Sequence, residues 1–415
     1  MPRLLNMNAY HYRRGGSDVV YLEHGALMES RGWESAYFAM HHPKNEPSPW
    51  SPYFAREIEL GHSYSLARKL AIAKQVIHSN EHVRDINRLL DVFPADIAHV
   101  HILRHHVAAN IFPAMQKRGV RIVMTAHELK LLCPAYRMHD GEAICEACKP
   151  NAVWNCATKR CMHGSLALSG LVAIESAVHR AMGYYRRYLD RIICPSRFYL
   201  EKHVEWGWPR EKLVYIPNNF EVPAIEAVPA PGDYLCYFGR LSFEKGLATT
   251  IRAAAKAGMP LEVIGEGPEE PALRRLAAET GAAVRFHGRQ TGDALFDVVR
   301  GARACVLASE WYENAPKSVL EAFGLGKIVI GADIGGISEM IAPGNTGFLF
   351  PSGDADALAA VLARVIAMPD DELVAMGGAA AAFARREFST ELYALRMEAL
   401  YAELGVAAPS MRSAA

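Results

Sequence analysis

The sequence lacks an excess of either charge and lacks long apolar runs. Its 45 Lys and Arg residues are balanced by 45 Asp and Glu residues, so the formal net charge is zero. Domains that bind nucleic acid are usually strongly basic, and this balance gives no support to such a function. The longest apolar stretch, Leu166–Ile174, is far shorter than the ~20 residues that a membrane-spanning helix needs. Neither a nucleic-acid partner nor a membrane span is therefore expected.

A secretion signal is also missing from the first residues. Met1 to Asn6 leads directly into polar sequence, without the basic and apolar regions that a signal peptide contains. We therefore expect a cytoplasmic protein. Peripheral contact with the inner face of a membrane stays open, because a neutral chain can still carry a local basic face.

The chain has enough apolar residues, 51% of 415, for two globular domains. Short apolar segments alternate with helical patterns in both halves, which is typical of open, mostly parallel α/β sheets. The Pro-rich segment 217–232 lacks periodicity and separates the halves. The predicted strands are Leu4–Met7, Ser35–Met40, Ile97–Leu103, Ile122–Ala126, Arg191–Ser196 and Leu213–Ile216, then Tyr234–Gly239, Leu261–Gly265, Val284–Gly288, Ala304–Leu307, Ile328–Ala332 and Gly347–Phe350. Helices are predicted at Asp18–Arg31, Ser63–Asp91 and Thr390–Leu404.

Two glutamates flank the predicted start of a helix in the second half. Glu313 and Glu321 follow the predicted strand Ala304–Leu307, and Pro316 stands between them where a helix can begin. Loops at the carboxyl ends of parallel strands are the usual ligand sites of such sheets. A helix N-terminus between two acids suits a ligand with phosphates and hydroxyls, which indicates nucleotide chemistry. The alternative for Glu321 is a surface acid without a binding role.

A second loop with suitable chemistry follows the first strand of that half. Gly239 permits a sharp turn at the strand end. Arg240 can bind phosphate oxygens through two parallel hydrogen bonds, and Lys245 adds a second positive charge. Two cations in one loop can neutralise a diphosphate without a metal. The alternative is a common strand-end loop with two solvated basic residues.

The Asp-x-Asp pair Asp354-Ala355-Asp356 is a motif that can hold a metal bound to a nucleotide diphosphate. Here it follows Pro351-Ser352-Gly353 and precedes an apolar, Ala-rich run. Acids in the first turn of a helix favour its N-terminus. We therefore predict a helix start at this place and no metal site.

These motifs, in this order, resemble family 4 glycosyltransferases, which are retaining enzymes of the GT-B fold that use nucleotide-sugar donors. The resemblance lies in residues 238–246, 313–321 and 335–341. It implies two Rossmann-like domains that face each other across a cleft, and it implies donor binding without a metal. The N-terminal acceptor-binding domain would be residues 1–218, completed by a C-terminal helix at about 390–415, and the nucleotide-sugar-binding domain residues 233–389.

The resemblance gives individual residues their roles. Arg240 and Lys245 match the pair that holds the donor diphosphate and stabilises the charge on the leaving group. Glu313 matches the acid near the transferred sugar, and Glu321 the acid that binds the ribose hydroxyls. The implied catalytic residues are Glu313, His127, Arg240 and Lys245. The implied donor-binding residues are Gly15, Gly16, Gly239, Arg240, Lys245, Glu313, Asn314, Ala315 and Glu321.

Two features of the first half also match the family. Gly15 and Gly16 resemble the Gly-Gly loop that faces the donor, and we expect Ser17 or Asp18 to cap the helix that follows. His127 ends a predicted strand in Thr-Ala-His-Glu and resembles the His of the family's Thr-x-His-Asp, with Glu in place of the commoner Asp. A His at a strand end is otherwise often structural.

Further histidines stand near this strand end, at positions 99, 101, 105 and 106. Strand alternation should direct His99 and His101 to the same face of the sheet. Any of the four can line the acceptor side, and the sequence does not select one of them.

Five of the eight cysteines are concentrated between Cys133 and Cys161. In a cytoplasmic chain this spacing favours a metal over disulfides. We predict a cysteine-rich insertion at about residues 131–164 with a structural Zn²⁺, which would have no open position for catalysis. The alternative is a set of reduced thiols, and the cysteines outside the insertion should be buried in strands. The predicted ligands are Cys145, Cys148, Cys156 and Cys161, with Cys133 as a substitute.

The resemblance implies a retaining glycosyltransferase that moves a sugar from a nucleotide diphosphate sugar to a glycan or lipid-linked acceptor. Related acceptors are often precursors of cell-surface polysaccharides, and no cofactor is expected for catalysis. One alternative is a GT-B nucleotide-sugar epimerase, which would need further acids and bases for proton abstraction. Another is a non-catalytic protein that binds a sugar nucleotide or a partner through the cysteine-rich loop.

Overall fold

The computed structural model describes residues 1–59, 65–221 and 225–409, which form two compact units. Unit 1 contains residues 1–216 and the C-terminal residues from 394 onward, and unit 2 contains residues 217–393. The described residues of the Pro-rich segment 217–232 contain no helix or strand. Among the described residues, no helix has the length and apolar character that crossing a membrane requires.

Unit 1 is built on a six-stranded parallel sheet with the strand order β2-β1-β3-β4-β5-β6. Its strands are β1 Arg3–Met7, β2 Glu34–Phe38, β3 Ile97–Val100, β4 Arg121–Thr125, β5 Arg191–Cys194 and β6 Leu213–Tyr215. Its helices are α1 Gly16–Ser30, α2 Leu66–Ile77, α3 Asn80–Val92, α4 Ile111–Lys117, α5 Asn155–Thr158, α6 Leu166–Met182, α7 Tyr184–Tyr188 and α8 Arg197–Glu205. The strands are buried because helices cover both faces of a parallel sheet.

Unit 2 has a second six-stranded parallel sheet, in the order β12-β11-β10-β7-β8-β9. Its strands are β7 Leu235–Phe238, β8 Leu261–Ile264, β9 Val284–Phe286, β10 Ala304–Leu307, β11 Val329–Ala332 and β12 Gly347–Phe350. Its helices are α9 Leu247–Ala257, α10 Glu270–Thr280, α11 Asp293–Gly301, α12 Lys317–Gly324, α13 Ile337–Met340, α14 Ala355–Ala367 and α15 Asp370–Phe388. The last helix, α16 Thr390–Glu403, begins in unit 2 and continues into unit 1.

All twelve predicted strands are present, with ends that differ by a few residues. The three cysteines outside the insertion, Cys194, Cys236 and Cys305, are buried in strands as expected. Asp354 caps α14, because its Oδ1 accepts the backbone N–H groups of Asp356 and Ala357 at 3.0 and 2.9 Å. The prediction of a helix start at the Asp-x-Asp pair is therefore confirmed.

The helical spacing predicted at roughly Ser63–Asp91 is divided between two helices, a break that the prediction did not include. The chain forms α2 and α3 instead, and Ser63 lies outside the described residues. The break occurs at Ser79, whose Oγ accepts the N–H of His82 at 3.1 Å and so starts a new helix. Asn110 holds this start in place, because its Oδ1 accepts the Ser79 N–H at 3.1 Å.

The strand order reverses once in each sheet, between β1 and β3 in unit 1 and between β7 and β10 in unit 2. The loops that follow the two strands at such a point diverge to opposite faces of the sheet. Open α/β sheets bind ligands in the crevice that this divergence leaves. Each unit therefore has one edge where functional side chains are expected.

Candidate functional site

In unit 2, two loops meet at the reversal of strand order. One follows β7 and ends at Gly246, and the other follows β10 and ends at Pro316. They are in direct contact, because the N–H of Glu310 donates to the carbonyl oxygen of Glu244 at 2.9 Å. Any side chain on Gly246 would collide with the other loop: its φ is +63°, and a Cβ would lie 1.8 Å from the carbonyl oxygen of Ala308.

A buried ion pair joins the same two loops. Lys245 donates from Nζ to Oε1 of Glu313 at 2.5 Å, and the hydroxyl of Ser309 donates to the same oxygen at 2.7 Å. Only 6% of Glu313 is exposed. Burial by itself raises the pKa of this carboxyl, but the charge of Lys245 and these hydrogen bonds hold the pKa below its ordinary value. Glu313 is therefore a charged carboxylate at neutral pH.

Two glycines after β11 fix the backbone of Glu313. The N–H of Gly336 donates to the carbonyl oxygen of Glu313 at 2.8 Å. Gly335 has a φ of +59°, and a Cβ there would lie 2.5 Å from the same oxygen. The sequence did not single out this contact or that of Ser309. Ser309 and Gly336 lie two and four residues after the ends of β10 and β11, which marks them as near the ligand-binding edge of the sheet, but the contacts themselves depend on tertiary approach.

Arg240 lies in the β7 loop with Lys245, and no acidic side chain of the described residues pairs with its charge. Its side chain is exposed, and within the described parts of the chain no carboxylate lies within 4.0 Å of its guanidinium. The hydroxyl of Tyr237 donates to its carbonyl oxygen at 2.8 Å and so anchors its backbone. The guanidinium is available for an anionic ligand. Gly239 precedes it, at a φ of +152°.

The remaining predicted donor residues of unit 2 lie beside Glu313. Asn314 is half-buried and Ala315 buried in the loop before α12, and Glu321 is half-buried within the helix. Pro316 is the N-cap of α12, so it stands one residue before the first helical position where the sequence placed it. The first N–H groups of a helix have no acceptor within the helix and can bind an anion. The structure thus brings Lys245 and Glu313 into contact and places the other three on the adjoining loop and helix.

In unit 1, Asn8 organises the point of strand reversal. It is fully buried after β1, its Oδ1 accepts the N–H of Ile102 at 3.0 Å, and its Nδ2 donates to Oδ1 of Asp18 at 2.9 Å. The Asp18 carboxylate is therefore held by Asn8. Helix α1 begins at Gly16 with Gly15 as its N-cap and no side-chain cap, so the prediction that Ser17 or Asp18 caps this helix is wrong.

The pair Gly15-Gly16 is not required by the packing of the protein itself. Neither glycine has a positive φ, and a Cβ on Gly16 would have no other atom within 4 Å. An ordinary side chain at Gly16 would therefore fit the fold. The space that its absence leaves lies at the N-terminus of α1, where an anionic ligand is favoured.

His127 follows β4 and is hydrogen-bonded to a second histidine. Its Nε2 lies 2.9 Å from Nδ1 of His101, and the two rings are stacked with centroids 5.2 Å apart. The next residue, Glu128, accepts a hydrogen bond from Nε of Arg104 at 2.7 Å. The sequence identified His127 but did not select its partner His101.

The histidine stack continues into the core of unit 1. The rings of His101 and His99 are stacked at 4.3 Å, which confirms that both point to one face. Nδ1 of His99 lies 2.7 Å from the hydroxyl of Tyr401 in α16. Burial lowers the pKa of His24 and His127 to about 3 and that of His99 and His101 well below the ordinary value. These rings are neutral at pH 7 and act as hydrogen-bonding groups without charge.

The cysteine-rich segment between β4 and α6 is mostly irregular, with α5 as its single short helix. Four of the five described non-glycine residues with positive φ lie in it: Tyr136, Met138, Arg160 and His163. A hydrogen bond from Cys156 lowers the pKa of Cys161 to about 7. Nevertheless, among the described residues no three cysteine sulfurs all lie within 4.8 Å of one another. Zinc binding by Cys145, Cys148, Cys156 and Cys161, or by Cys133, stays a prediction.

Within residues 1–59, 65–221 and 225–409, one group of three possible metal ligands has its ligand atoms within 4.8 Å of one another. It consists of His42, Glu57 and Glu59. Its hydrogen bonds argue against a metal. Nδ1 of His42 accepts the N–H of Lys44 at 3.1 Å, so the ring proton is on Nε2. Oε1 of Glu59 accepts the hydroxyl of Tyr10 at 2.6 Å. The group is a hydrogen-bonded cluster.

Two protein families together match nearly the whole chain. Residues 14–221 match the family described as Glycosyltransferase Family 4, and residues 219–382 match the family described as Glycosyl transferases group 1. The lipopolysaccharide core biosynthesis glycosyltransferase LpsE of Rhizobium meliloti (strain 1021) is 28% identical over 194 residues, which are 44% of this chain and 56% of LpsE. The phosphatidyl-myo-inositol mannosyltransferase of Mycolicibacterium smegmatis is 28% identical over 182 residues, 40% of this chain and 46% of that protein. The chain spans about half the length of these curated relatives.

Solved structures share the fold over 97% of the chain. Sucrose-phosphate synthase from Thermosynechococcus elongatus has a TM-score of 0.69 and 19% identity, with 99% of its chain covered. Anabaena HepE, determined in complex with UDP and glucose, has a TM-score of 0.68 and 14% identity, with 100% covered. These low identities show the fold alone, two Rossmann-like domains in the GT-B arrangement.

The neutral histidines predict that unit 1 loses stability in acid. A histidine that is neutral in the fold with a lowered pKa, but titrates near 6.5 when unfolded, stabilises the fold above pH 6.5. That stability is lost as the pH falls from about 6.5 toward 3, by up to ~1.4 kcal/mol per pH unit for each histidine. Denaturant unfolding at pH 7.5 and pH 5.0 should therefore show a lower midpoint for unit 1 at pH 5.0.

Tryptophan fluorescence distinguishes the two units in this experiment. Five of the six tryptophans, at positions 33, 50, 154, 206 and 208, lie in unit 1, and Trp311 lies in unit 2. The variant Trp311→Phe removes the signal of unit 2 and leaves that of unit 1. Unit 2 contains a single histidine, His287, and is the control: its unfolding is followed separately through Trp311 in a protein whose other tryptophans are replaced by phenylalanine. An unchanged midpoint for unit 1 at pH 5.0 would contradict the argument.

The zinc hypothesis predicts one zinc per chain and its loss when ligands are replaced. Elemental analysis of purified protein should find the metal, and Cys145→Ser with Cys148→Ser should remove it and lower the melting temperature. Cys194→Ala, in a strand outside the insertion, should retain the zinc. Absence of zinc together with free titration of all five clustered thiols would exclude the site.

Proposed function

The chain belongs to glycosyltransferase family 4, and on that premise we propose that it transfers a sugar, with retention of anomeric configuration, from a nucleotide diphosphate sugar to a glycan or lipid-linked acceptor. The proposed acceptor class is supported by relatives such as LpsE, a lipopolysaccharide core biosynthesis glycosyltransferase. We place the reaction in cell-surface polysaccharide biosynthesis in the cytoplasm. Peripheral contact with the inner face of a membrane is part of the same proposal, since lipid-linked acceptors lie there.

The observation that carries the proposal is the ion pair of Lys245 and Glu313. Beside it lies Arg240, whose guanidinium has no carboxylate partner among the described residues. A departing nucleoside diphosphate gains negative charge as the bond to the sugar breaks. Fixed positive groups stabilise that charge in the transition state. Arg240 can bind the phosphate oxygens in bidentate fashion, and Lys245 adds a point charge from the same loop. No metal ion is needed for this task.

Glu313 has the properties of the acid on the sugar side. It is buried, charged and fixed by Lys245, Ser309 and Gly336. A carboxylate held in this way can accept hydrogen bonds from sugar hydroxyls and orient the ring. We propose that Glu321 binds the ribose hydroxyls and that the backbone of Asn314 and Ala315 binds the donor phosphates. In unit 1 we propose that Gly15 and Gly16 contact the donor.

The proposed reaction proceeds on one face of the sugar. The acceptor hydroxyl oxygen forms a bond to the anomeric carbon while the bond from that carbon to the diphosphate oxygen breaks. The acceptor proton passes to the departing diphosphate oxygen, which lies on the same face. We propose that His127 contacts the transferred sugar. Its neutral imidazole, held by His101, can form a hydrogen bond to a sugar hydroxyl.

Removal of either member of the ion pair should abolish most activity. We expect Lys245→Ala to lower kcat by ~10²- to 10³-fold, the usual effect of losing one group that stabilises transition-state charge. Glu313→Gln keeps the shape of the side chain and removes its charge, so it should also reduce turnover. The measurement is release of nucleoside diphosphate, with UDP-, GDP-, ADP- and dTDP-sugars screened first by thermal shift, where saturating donor stabilises the fold.

Lys256→Ala is the matched control. Lys256 is an exposed lysine of unit 2 that pairs with Asp356 on the surface, and its loss should leave turnover unchanged. Full turnover in both Lys245→Ala and Glu313→Gln would refute the assigned site. Analysis of the products tests the alternatives: an epimeric nucleotide sugar would indicate an epimerase, and tight donor binding without turnover a binding protein.

Gly16→Ala should separate donor binding from folding. A Cβ at this position contacts nothing in the fold, and Ala stabilises a helix by roughly 0.5–1 kcal/mol relative to Gly. The melting temperature of the free protein should therefore stay the same or rise, while KM for the donor rises because the methyl group occupies ligand space. Gly170→Ala, a helical glycine in α6 with an equally open Cβ, is the control. An unchanged donor KM in Gly16→Ala would exclude close approach of the donor.

A further inference from the structure

A cavity of about 370 Å³ lies in unit 1 apart from the residues assigned to the donor. It opens between the end of α6, the start of α7, the segment after α8 and the loop after β4. Arg180, Arg186, Trp206 and Trp208 are among the residues that line it. Its size is within the range of small-molecule sites, which begins at about 300 Å³.

The cavity adjoins the surroundings of His127. Lys130, Leu131 and Tyr185 line this cavity and also the much smaller one that contains His101 and His127. The two cavities therefore share part of their walls. A molecule in the larger one would lie on the other side of these shared residues from the cavity of His127, which we assign to the transferred sugar.

The lining of the cavity contains positively charged side chains and no acidic ones. None of its lining residues is Asp or Glu. The ammonium of Lys130 is neutralised by Glu175, whose carboxylate lies 2.8 Å away beneath the wall. Arg180, in contrast, donates to the carbonyl oxygen of Leu132 at 2.6 Å and to Oδ1 of Asn151 at 3.2 Å, both of them neutral acceptors.

Arg186, like Arg180, donates its hydrogen bond to a neutral acceptor. Its guanidinium is exposed and donates to the carbonyl oxygen of Gly207 at 2.8 Å. Within the described residues, neither guanidinium has a carboxylate within 4.0 Å. Two unmatched guanidinium groups on one concave surface favour an anion with several oxygens, because each can bind a carboxylate or phosphate through two hydrogen bonds.

The remaining wall suits a sugar ring. Trp206 and Trp208 contribute indole groups, and Tyr185 contributes a phenol ring. Flat aromatic rings pack against the apolar faces of pyranose rings, while N–H and O–H groups at their edges meet hydroxyls. The indole N–H of Trp206 has no hydrogen-bond partner among the described protein groups. Aromatic rings beside unmatched guanidinium groups are the combination that an anionic saccharide requires.

We propose that this cavity is an acceptor subsite for a saccharide that bears a carboxylate or phosphate. The inference rests on the proposed glycosyl transfer and narrows its acceptor class. Arg186 and Arg180 would hold the anionic group, and Trp206 and Trp208 would contact the ring. The anion can be a carboxylate of the glycan or a phosphate that links the sugar to a carrier, and the two sources are separated by the choice of probe.

Binding to the full-length protein tests the subsite without turnover. The probes are methyl β-D-glucuronide for the carboxylate, α-D-glucose 1-phosphate for the phosphate, and neutral methyl β-D-glucoside as the reference. Calorimetry should show at least one charged probe binding tenfold or more tightly than the neutral one. Arg186→Gln should remove that difference, and Arg187→Gln, the neighbouring arginine of α7 that does not line the cavity, should preserve it.

Equal binding of charged and neutral probes, or unchanged charged-probe affinity in Arg186→Gln, would overturn the inference. Donor turnover is measured separately. Turnover without binding of charged probes rejects the subsite alone, and binding without turnover rejects the glycosyl transfer alone. Arg180 needs one further measurement, because it donates to the carbonyl oxygen of Leu132, the neighbour of Cys133, and so lies beside the cysteine cluster. If Arg180→Gln lost zinc and left probe affinity unchanged, Arg180 would belong to the cysteine cluster and not to the subsite.

Discussion

The site of unit 2 depends on the burial of one carboxylate. An isolated charge removed from water is destabilised by several kcal/mol, and a buried charge persists only when a partner and hydrogen bonds compensate it. Glu313 is compensated by Lys245 and Ser309, and this fixes the distance between the β7 and β10 loops. Gly246 and Gly335 follow from the same constraint, since loops drawn this close leave no room for a Cβ. The geometry of the β7 and β10 loops is thus a consequence of the pairing of the Glu313 carboxylate with the Lys245 ammonium.

The histidine stack of unit 1 meets the same constraint in a different way, because its buried rings are neutral. The stacked rings of His99, His101 and His127 exchange hydrogen bonds with each other and with Thr125 and Tyr401, so burial removes no full charge from water. Neutral imidazoles can donate and accept, but they cannot stabilise a diphosphate. The two units therefore differ in the work that they can do. The charged groups in the loops of unit 2 suit the stabilisation of a diphosphate, and the histidine stack of unit 1 suits hydrogen bonding to neutral hydroxyls.

Sequence patterns predicted the two sheets because buried parallel strands are short apolar runs separated by helical periods. They also predicted site roles for Lys245, Glu313 and His127, and the structure brings Lys245 and Glu313 into contact while the roles stay predictions. They could not predict contacts that depend on tertiary approach, such as Ser309 to Glu313 or His101 to His127. The unpredicted break between α2 and α3 has the same origin, since Asn110, far along the chain, holds the start of α3. For Asp18, the competing partner Asn8 was the deciding contact, and local capping rules do not include it.

The position of Trp311 has a consequence for how this enzyme can be observed. Its ring centroid lies 5.5 Å from Nζ of Lys245, and it is the one indole of unit 2. Indole emission responds to nearby charge, so binding of an anionic ligand at the β7 loop should change the light that this residue emits. A protein whose other tryptophans are replaced by phenylalanine would thereby contain a single optical sensor beside Lys245. Occupancy of that loop could then be followed in real time without a label on the sugar nucleotide.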